Sequence, residues 1–202
     1  MDEGRAVTVK RISIVVPVYN EEDNIAHFTE CVERVMDALP YAYEILFIDD
    51  GSCDRSRTIL LELGARDPRV QSIFLARNSG HQIALTCGTD HAEGDAVITM
   101  DGDMQHPPEL LPVLLKKWEA GCEIVQTVRI STEGVSAFKR LTSKYYYRLL
   151  NAVTDVHIQE GGSDFRLMDR RAVLALRRYH EHARFIRGIV GSMGFRKTTV
   201  EF

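Results

Sequence analysis

The sequence has little cysteine, and no two of its cysteines form a Cys-x-x-Cys pair. The four that occur are Cys31, Cys53, Cys87 and Cys122. Their separation excludes a recognisable zinc site or disulfide framework. It is typical of free thiols in a reducing compartment.

Long hydrophobic runs are also missing. No stretch reaches the roughly 18 apolar residues that cross a bilayer. The N-terminus carries Asp2 and Glu3 and has no long apolar stretch, which excludes a secretory signal. We therefore expect this polypeptide to face the cytoplasm and to be soluble or at most peripheral to a membrane.

The composition is not extreme, and its charge is divided along the chain. Hydrophobic residues make up 45% and charged residues 27% of the 202 residues, as in one ordinary globular α/β domain. Residues 1–128 have a net charge of −11 and residues 129–202 have +7, within a total of −4. The basic part suits an anionic partner such as a phosphate or lipid headgroup, or forms a solvated surface. No basic motif is interleaved with aromatics, so nucleic acid is not an expected partner.

Apolar runs alternate with helical patterns over the first 128 residues. Strands are predicted at 11–19, 43–48, 70–75, 96–100 and 123–128, and helices at 25–39, 55–66, 82–92 and 107–118. Further on, a helix is predicted through 173–176 and a strand at 197–201. Buried β-branched strands that alternate with helices predict an α/β fold, a Rossmann-like, mostly parallel sheet with helices on both faces.

Polar clusters follow four of the predicted strands. They occupy residues 20–24, 49–54, 77–81 and 101–105. Ligands of open α/β sheets bind beyond the carboxyl ends of the strands. The four loops therefore predict a site for a phosphorylated or nucleotide ligand at one edge of the sheet.

Asp101 and Asp103 are the most informative pair in these loops. Like charges one residue apart repel, and few other protein oxygens are nearby, so the pair suits Mg²⁺ or Mn²⁺ bound together with substrate phosphates. A solvated turn is the alternative, because Asp-Gly-Asp is also common turn chemistry. An EF-hand is disfavoured, because His106 and two prolines stand where further ligands should follow.

The motif series resembles family-2 glycosyltransferases with a GT-A fold. The resemblance is carried in order by Val16–Glu22 (VPVYNEE), Asp49–Asp54 (DDGSCD), Arg77–Gly80 (RNSG) and Asp101–Pro108 (DGDMQHPP). The later segment Gly162–Arg170 (GSDFRLMDR) is similar to the polyprenyl-phosphate branch, the dolichol- and undecaprenyl-phosphate sugar synthases. The resemblance covers nearly the whole chain. It implies an inverting enzyme that moves a sugar from a UDP- or GDP-linked donor to a polyprenyl phosphate, for cell-envelope or glycan assembly.

The resemblance also implies roles for individual residues. The nucleotide-sugar contacts would come from Pro17, Tyr19, Asn20, Glu22, Asp49, Asp50, Gly51, Arg77, Asn78, Gly80, Asp101 and Gly102. The divalent metal would be held by Asp101 and Asp103, with Gln105 as a further ligand. The catalytic set would be Asp103, Asp164 and Arg166.

The acceptor chemistry points to cations in the basic part. A phosphate monoester is largely ionised at neutral pH, so it needs positioning and charge screening more than a general base. The candidates for the acceptor phosphate are Arg129, Lys139, Arg140, Lys144 and Arg166, of which Arg129 and Arg166 are favoured. An exposed helix face is the other interpretation for Lys139, Arg140 and Lys144. Asp164 has three open roles: a base, a group that orients a sugar hydroxyl, or a structural partner of Arg166. His106 is interpreted as supporting the metal loop, and Asp169 as a helix N-cap.

The resemblance further implies the organisation of the whole protein. Residues 1–128 would form a nucleotide-sugar half and residues 129–202 an acceptor half, truncated before C-terminal membrane segments that anchor the full-length protein at the cytoplasmic face. The stretch 173–190 either lies on an anionic membrane surface or packs on the domain as a plain helix. Two other functions stay open: a glycosyltransferase with a hydroxyl acceptor, and a non-catalytic nucleotide-sugar-binding domain of a membrane complex.

Overall fold

The computed structural model describes residues 9–129, 162–179 and 185–202. The strands are β1 (Arg11–Val18), β2 (Ala42–Asp49), β3 (Val70–Phe74), β4 (Ala96–Thr99), β5 (Ile124–Val128), β6 (Gly162–Asp169) and β7 (Lys197–Glu201). The helices are α1 (Ile25–Met36), α2 (Ser56–Arg66), α3 (His81–His91), α4 (Leu111–Glu119), α5 (Arg170–Leu176) and α6 (Ile186–Ser192). A 3₁₀ turn at Pro108–Leu110 leads into α4. The predicted acceptor contacts Lys139, Arg140 and Lys144 lie outside the described residues.

The described strands form one sheet in the order β3-β2-β1-β4-β6-β5-β7. Neighbouring strands are parallel except at β6, which is antiparallel to both β4 and β5. The prediction of a mostly parallel α/β sheet is therefore confirmed.

Helices cover both faces of the sheet, as predicted. One apolar layer joins residues of β1 and β2 to α1 and α4, including Phe28, Phe47 and Leu114. The opposite layer joins other residues of the same strands to α3, α5 and α6, including Val15 and Val173. Because β1 and β2 are buried on both faces, their sequences are almost continuously apolar.

β6 is the element that the sequence analysis did not assign. It lies between β4 and β5, with Thr99 opposite Arg166 and Ala96 opposite Asp169. Its eight residues include three charged side chains, which gives it the appearance of a loop motif. The charges are accommodated because Asp164 pairs with Arg166 and because Asp169 accepts the indole N–H of Trp118 at 2.8 Å.

Two arginines of the basic part make hydrogen bonds inside the molecule. Arg170 and Arg177 both donate to the carbonyl oxygen of Ala92, and Arg177 also donates to that of Thr89, at distances of 2.6–2.7 Å. These carbonyls lie at the C-terminal end of α3, where a positive charge is favourable. The side chain of Asp169 caps α5 by accepting the backbone N–H of Arg171, which confirms the predicted N-cap.

α5 packs on the domain as a short surface helix. Its buried residues Ala172, Val173 and Leu176 belong to the core layer that also contains α3. Of the two interpretations of residues 173–190, packing on the domain is the one that α5 adopts. None of the helices in the described ranges is long and apolar enough to span a bilayer.

Candidate active site

A cavity of about 340 Å³ opens at the carboxyl ends of the central strands. Its walls come from the loops after β1, β2, β3 and β4 and from the first turn of α3. The lining residues are Pro17, Val18, Tyr19, Glu21, Asp50, Asn78, Gly80, His81, Ala84, Asp101, Gly102 and Asp103. The four predicted loops therefore meet at one place, as expected for ligand sites of open α/β sheets.

The loops after β1 and β2 are tied together by hydrogen bonds. The side-chain oxygen of Asn20 accepts the backbone N–H of Cys53 at 2.8 Å, and the backbone N–H of Asn20 donates to Ser52 Oγ at 2.9 Å. Between the same two loops, the carboxylate of Glu22 accepts the backbone N–H of Arg55 at 2.9 Å. Asn20 and Glu22 do not line the cavity, and their observed role is to join the loops after β1 and β2.

Asp50 fixes the loop that follows β3. Its two carboxylate oxygens accept the backbone N–H groups of Ser79 and Gly80, each at 2.7 Å. Gly51 lets the two loops approach closely: it has a φ of +73°, and a Cβ there would lie 2.5 Å from the carbonyl carbon of Arg77. The neighbouring Asp49 is buried.

Asp101 has an unsatisfied carboxylate oxygen. Its Oδ1 is buried and has no hydrogen-bond partner among the described residues. Burial, which outweighs the nearby histidines, raises the pKa of this carboxyl above its usual range. A hard cation would satisfy the orphaned oxygen, so the Asp101 and Asp103 pair fits a Mg²⁺ or Mn²⁺ ion that also takes substrate oxygens. Within the described ranges, no set of three or more His, Cys, Asp or Glu residues is grouped to hold a metal ion.

Gln105 and Arg129, which were predicted to bind metal and acceptor respectively, contact each other. Arg129 Nη1 donates to Gln105 Oε1 at 3.1 Å, and both residues are exposed. The backbone N–H of Gln105 donates to Asp103 Oδ1 at 3.0 Å. Gln105 therefore links the acidic loop to the end of β5.

His106 lies beneath the acidic loop. Its Nδ1 accepts the backbone N–H of Asp101 at 2.9 Å, and its Nε2 is 2.7 Å from Ser163 Oγ. Burial lowers the pKa of this imidazole, which favours the neutral ring at neutral pH.

Asp164 is surrounded by positive and donor groups. It pairs with Arg166, lies 3.4 Å from Arg187 Nη2 and 3.5 Å from His81 Nε2, and accepts from Gln82 Nε2 at 3.3 Å. Burial alone would raise the pKa of Asp164, but the hydrogen bond from His81 and the charges of Arg166 and Arg187 lower it to about 2. A carboxylate with so low a pKa is a poor general base at neutral pH.

Arg166 is only 1% exposed and does not line the cavity. Its Nε and Nη1 are buried without hydrogen-bond partners in the described part of the chain. Contact of Arg166 with an acceptor phosphate, one of the expectations from the sequence, stays a prediction. The observed partner of Arg166 is Asp164. This ion pair corresponds to the structural role that was considered for Asp164.

Comparison with known proteins now identifies the family. Residues 13–177 match the family model of glycosyl transferase family 2. This chain belongs to glycosyltransferase family 2.

Other members of the family are similar over nearly the whole chain. The identity is 46% over 190 residues to the uncharacterized glycosyltransferase YkcC of Bacillus subtilis, which covers 94% of this chain and 59% of that protein. It is 40% over 192 residues to the bactoprenol glucosyl transferase of Shigella phage SfV, which covers 95% and 62%. The chain thus spans about three-fifths of the length of these curated relatives.

Solved structures confirm the GT-A fold predicted for this family-2 glycosyltransferase. Mannosyltransferase PcManGT from Pyrobaculum calidifontis, in complex with GDP-Man and Mn²⁺, superposes with a TM-score of 0.63 at 19% identity, covering 96% of this chain and 56% of that one. Mannosyl-3-phosphoglycerate synthase from Rubrobacter xylanophilus gives a TM-score of 0.64 at 16% identity, covering 96% and 65%.

The predicted donor contacts of this family-2 glycosyltransferase divide into two groups. Those that line the cavity are Pro17, Tyr19, Asp50, Asn78, Gly80, Asp101 and Gly102. Those that do not line it are Asn20, Glu22, Asp49, Gly51 and Arg77.

Three residues near Asp164 were missed by the sequence analysis as site residues. His81 and Gln82 begin α3 directly after a predicted loop motif, so their position at the start of a ligand-facing helix was an available signal. Arg187 comes from α6, which lies partly in the stretch 173–190 considered as a helix and buries Ile186, Ile189 and Val190 at helical spacing. Its contact with Asp164 joins distant elements, which the sequence pattern does not specify.

Proposed function

We propose that this chain is the catalytic domain of an inverting glycosyltransferase that transfers a sugar from a UDP- or GDP-linked donor to a polyprenyl phosphate. The observation that carries the proposal is the meeting of four strand-end loops at one cavity, with Asp101 and Asp103 in its wall. The bactoprenol glucosyl transferase at 40% identity over 95% of this chain supports a polyprenyl acceptor.

On the donor side, the cavity residues would bind the nucleotide sugar, while Asp50 holds the Gly80 loop in position. Tyr19 is 44% exposed at the cavity wall and suits contact with a nucleotide base. A Mg²⁺ or Mn²⁺ ion held by Asp101 and Asp103, with Gln105 as a further candidate ligand, would neutralise the charge that develops on the departing diphosphate.

On the acceptor side, a phosphate monoester attacks directly, and direct displacement inverts the anomeric carbon. The acceptor is already ionised, so the low pKa of Asp164 is compatible with the reaction. We infer that Asp164 organises Arg166, Arg187 and His81 and does not accept a proton. Arg129 is exposed beside the acidic loop and is the described candidate for the acceptor phosphate.

Lys139 and Arg140 remain predictions for the acceptor phosphate. Because a polyprenyl chain resides in a bilayer, we infer that the full-length protein acts at the cytoplasmic face of a membrane.

Two measurements test the proposal separately. Titration calorimetry with UDP-glucose and GDP-mannose in Mn²⁺ should detect binding of one donor, and Asp103→Ala should abolish it. Asp23→Ala is the control, because Asp23 is an exposed acid in the loop after β1 that does not line the cavity.

The full-length protein should then transfer labelled sugar from that donor to undecaprenyl phosphate. Binding with transfer to a hydroxyl acceptor instead would contradict the lipid acceptor. Binding without any transfer would indicate the non-catalytic alternative, and absence of binding to any nucleotide sugar would overturn the proposal as a whole.

A further inference from the structure

The side chain of His106 joins the acidic loop to β6 from below. The ring is 7% exposed, and its two nitrogens have different partners. Nδ1 accepts the backbone N–H of Asp101 at 2.9 Å, so in the neutral ring the hydrogen is on Nε2. Nε2 therefore donates to Ser163 Oγ at 2.7 Å. The tautomer is fixed by the backbone donor.

Ser163 continues this connection into β6. Its Oγ also accepts the backbone N–H of Phe165 at 3.1 Å. Ser163 and Phe165 are the two chain neighbours of Asp164, so the serine bridges the backbone on both sides of that carboxylate. The series of hydrogen bonds from Asp101 through His106 to Ser163 thus connects two motifs that are more than sixty residues apart in sequence.

Aromatic packing holds the imidazole in place. The ring centroid of His106 lies 5.2 Å from that of Phe165 and 6.1 Å from that of Phe202. The two phenyl rings also contact each other, with centroids 6.3 Å apart. A ring packed in this way cannot rotate without losing both hydrogen bonds and the aromatic contacts.

On the cavity side, the connection between the carboxylates of Asp101 and Asp164 is much looser. His81 Nε2 lies 3.6 Å from Asp101 Oδ1 and 3.5 Å from Asp164 Oδ2. Both separations are at or beyond the limit of a hydrogen bond. β4 is joined to β6 by its ladder and by the hydroxyl of Thr99, which donates to the carbonyl oxygen of Asp164. Within the acidic loop that follows β4, the short, buried side-chain connection to β6 is the one through His106.

We propose that His106 and Ser163 are positioning residues that fix the acidic loop relative to Asp164. The donor-binding carboxylates and the cation cluster around Asp164 would then be held at a constant separation, as a direct displacement requires. This inference rests on the proposed function, because it takes Asp101 as part of the donor site.

Two conservative variants separate the two halves of the connection. The Oδ1 of an asparagine occupies the place of Nδ1, so His106→Asn keeps the bond to Asp101 and loses the bond to Ser163. The Nε2 of a glutamine occupies the place of the ring Nε2, so His106→Gln keeps the second bond and loses the first. His91→Asn, at an exposed histidine of α3 away from the cavity, is the control.

The expected result is a split between binding and turnover. His106→Gln should weaken Mn²⁺-dependent binding of UDP-glucose or GDP-mannose about tenfold, because a buried backbone donor loses its partner. His106→Asn should bind within about twofold of the wild type but transfer sugar to undecaprenyl phosphate about tenfold more slowly. His106→Phe and Ser163→Ala should be strongly non-additive in turnover, as expected for two groups in one hydrogen-bonded series.

The proposal is overturned if the asparagine and glutamine variants lose binding and turnover in equal proportion, or if neither loses any. Equal losses would mean that His106 only supports the fold, and thermal unfolding of each variant would show the matching decrease. If the wild type binds a nucleotide sugar but transfers nothing to the lipid, the proposed function fails by itself. The difference in nucleotide-sugar binding between His106→Asn and His106→Gln still tests the positioning role.

Discussion

The two sides of the cavity are held together by different forces. On the loop side, Asn20, Glu22 and Asp50 use neutral backbone N–H groups as partners. On the other side, Asp164 is held mainly by the charged groups of Arg166 and Arg187. Backbone partners are set by local loop geometry, whereas charge partners come from distant elements. The first arrangement tolerates loss of one side chain better than the second, because an unpaired buried charge is far costlier than an unpaired amide.

Among the variants proposed here, Asp164→Ala, on the charged side of the cavity, should lower the free energy of unfolding the most. It leaves Arg166, which is 1% exposed, without its carboxylate partner. We expect the free energy of unfolding to fall by about 3–5 kcal/mol, measured by urea denaturation.

The matched control is Asp103→Ala. Asp103 is half-buried and accepts the backbone N–H of Gln105 within its own loop. It should change the free energy of unfolding by less than about 1 kcal/mol, although it abolishes donor binding. Equal destabilisation by the two variants would contradict the distinction between the sides.

A second test addresses the close approach of the loops at Gly51. A Cβ at Gly51 would lie 2.5 Å from the backbone of Arg77, whereas a Cβ at Gly80 meets no atom within 4 Å. Both glycines have positive φ, +73° and +99°. Gly80→Ala should therefore cost about 1–2 kcal/mol of strain, and Gly51→Ala about 2–4 kcal/mol because overpacking is added. Urea denaturation of both variants measures the difference, and a larger loss at Gly80 would refute the close-approach argument.

A third test removes one backbone acceptor from the loop side. In Asp50→Asn, one of the two carboxylate oxygens that accept the backbone N–H groups of Ser79 and Gly80 is replaced by an NH₂ group, which cannot accept a hydrogen bond. We expect the affinity for the nucleotide sugar, measured by calorimetry, to fall about tenfold, which is equivalent to about 1.4 kcal/mol. Asp95→Asn is the control, because Asp95 also accepts a backbone N–H, that of Arg11, but does not line the cavity. An equal decrease in both variants would mean that Asp50 acts only through global stability.

The smallest expected effect comes from an exposed charge cluster outside the cavity. Hydrogen bonds from Tyr43 and Arg69 lower the pKa of Asp37, and hydrogen bonds from Arg69 lower the pKa of Asp67. A lowered folded-state pKa stabilises the fold above the unfolded pKa, and this contribution is lost as the pH falls through the folded value.

Between about pH 5 and pH 2 the wild type should therefore lose more stability than Arg69→Gln does. The difference should be at most about 1 kcal/mol, because the side chains of Asp37 and Arg69 are 54% and 39% exposed. Denaturation at several pH values measures it. A difference of several kcal/mol would mean that surface charges matter as much as the buried pair around Asp164.

The loop side could be predicted from sequence because its signals are local. Near-continuous apolar strands end in short polar motifs, and both β1 and β2 show this pattern before Asn20 and Asp50. The side around Asp164 could not be predicted in the same way. β6 contains Arg166, whose burial depends on its pairing with Asp164, and Arg187 reaches Asp164 from a distant helix, a contact that sequence spacing does not specify.

Particular side-chain contacts could also not be predicted from the sequence. Gln105 and Arg129 were predicted as separate metal and acceptor contacts, and their hydrogen bond to each other was not foreseen. Sequence spacing says nothing about which of several polar partners a side chain selects. The contact of His106 with Ser163 escaped for the same reason, although a supporting role beside the loop was predicted.

The insertion of β6 between β4 and β5 has a consequence for synthesis of the protein. When the ribosome has produced residues 1–128, the nascent chain contains both neighbouring strands but lacks the strand that separates them. β4 and β5 then each present an unpaired edge until Asp169 has emerged, and such edges are prone to pairing with other chains. The middle of the sheet is therefore filled after both of its flanking strands, with β7 joining the edge afterwards, so the nascent protein is most vulnerable to aggregation before β6 has emerged.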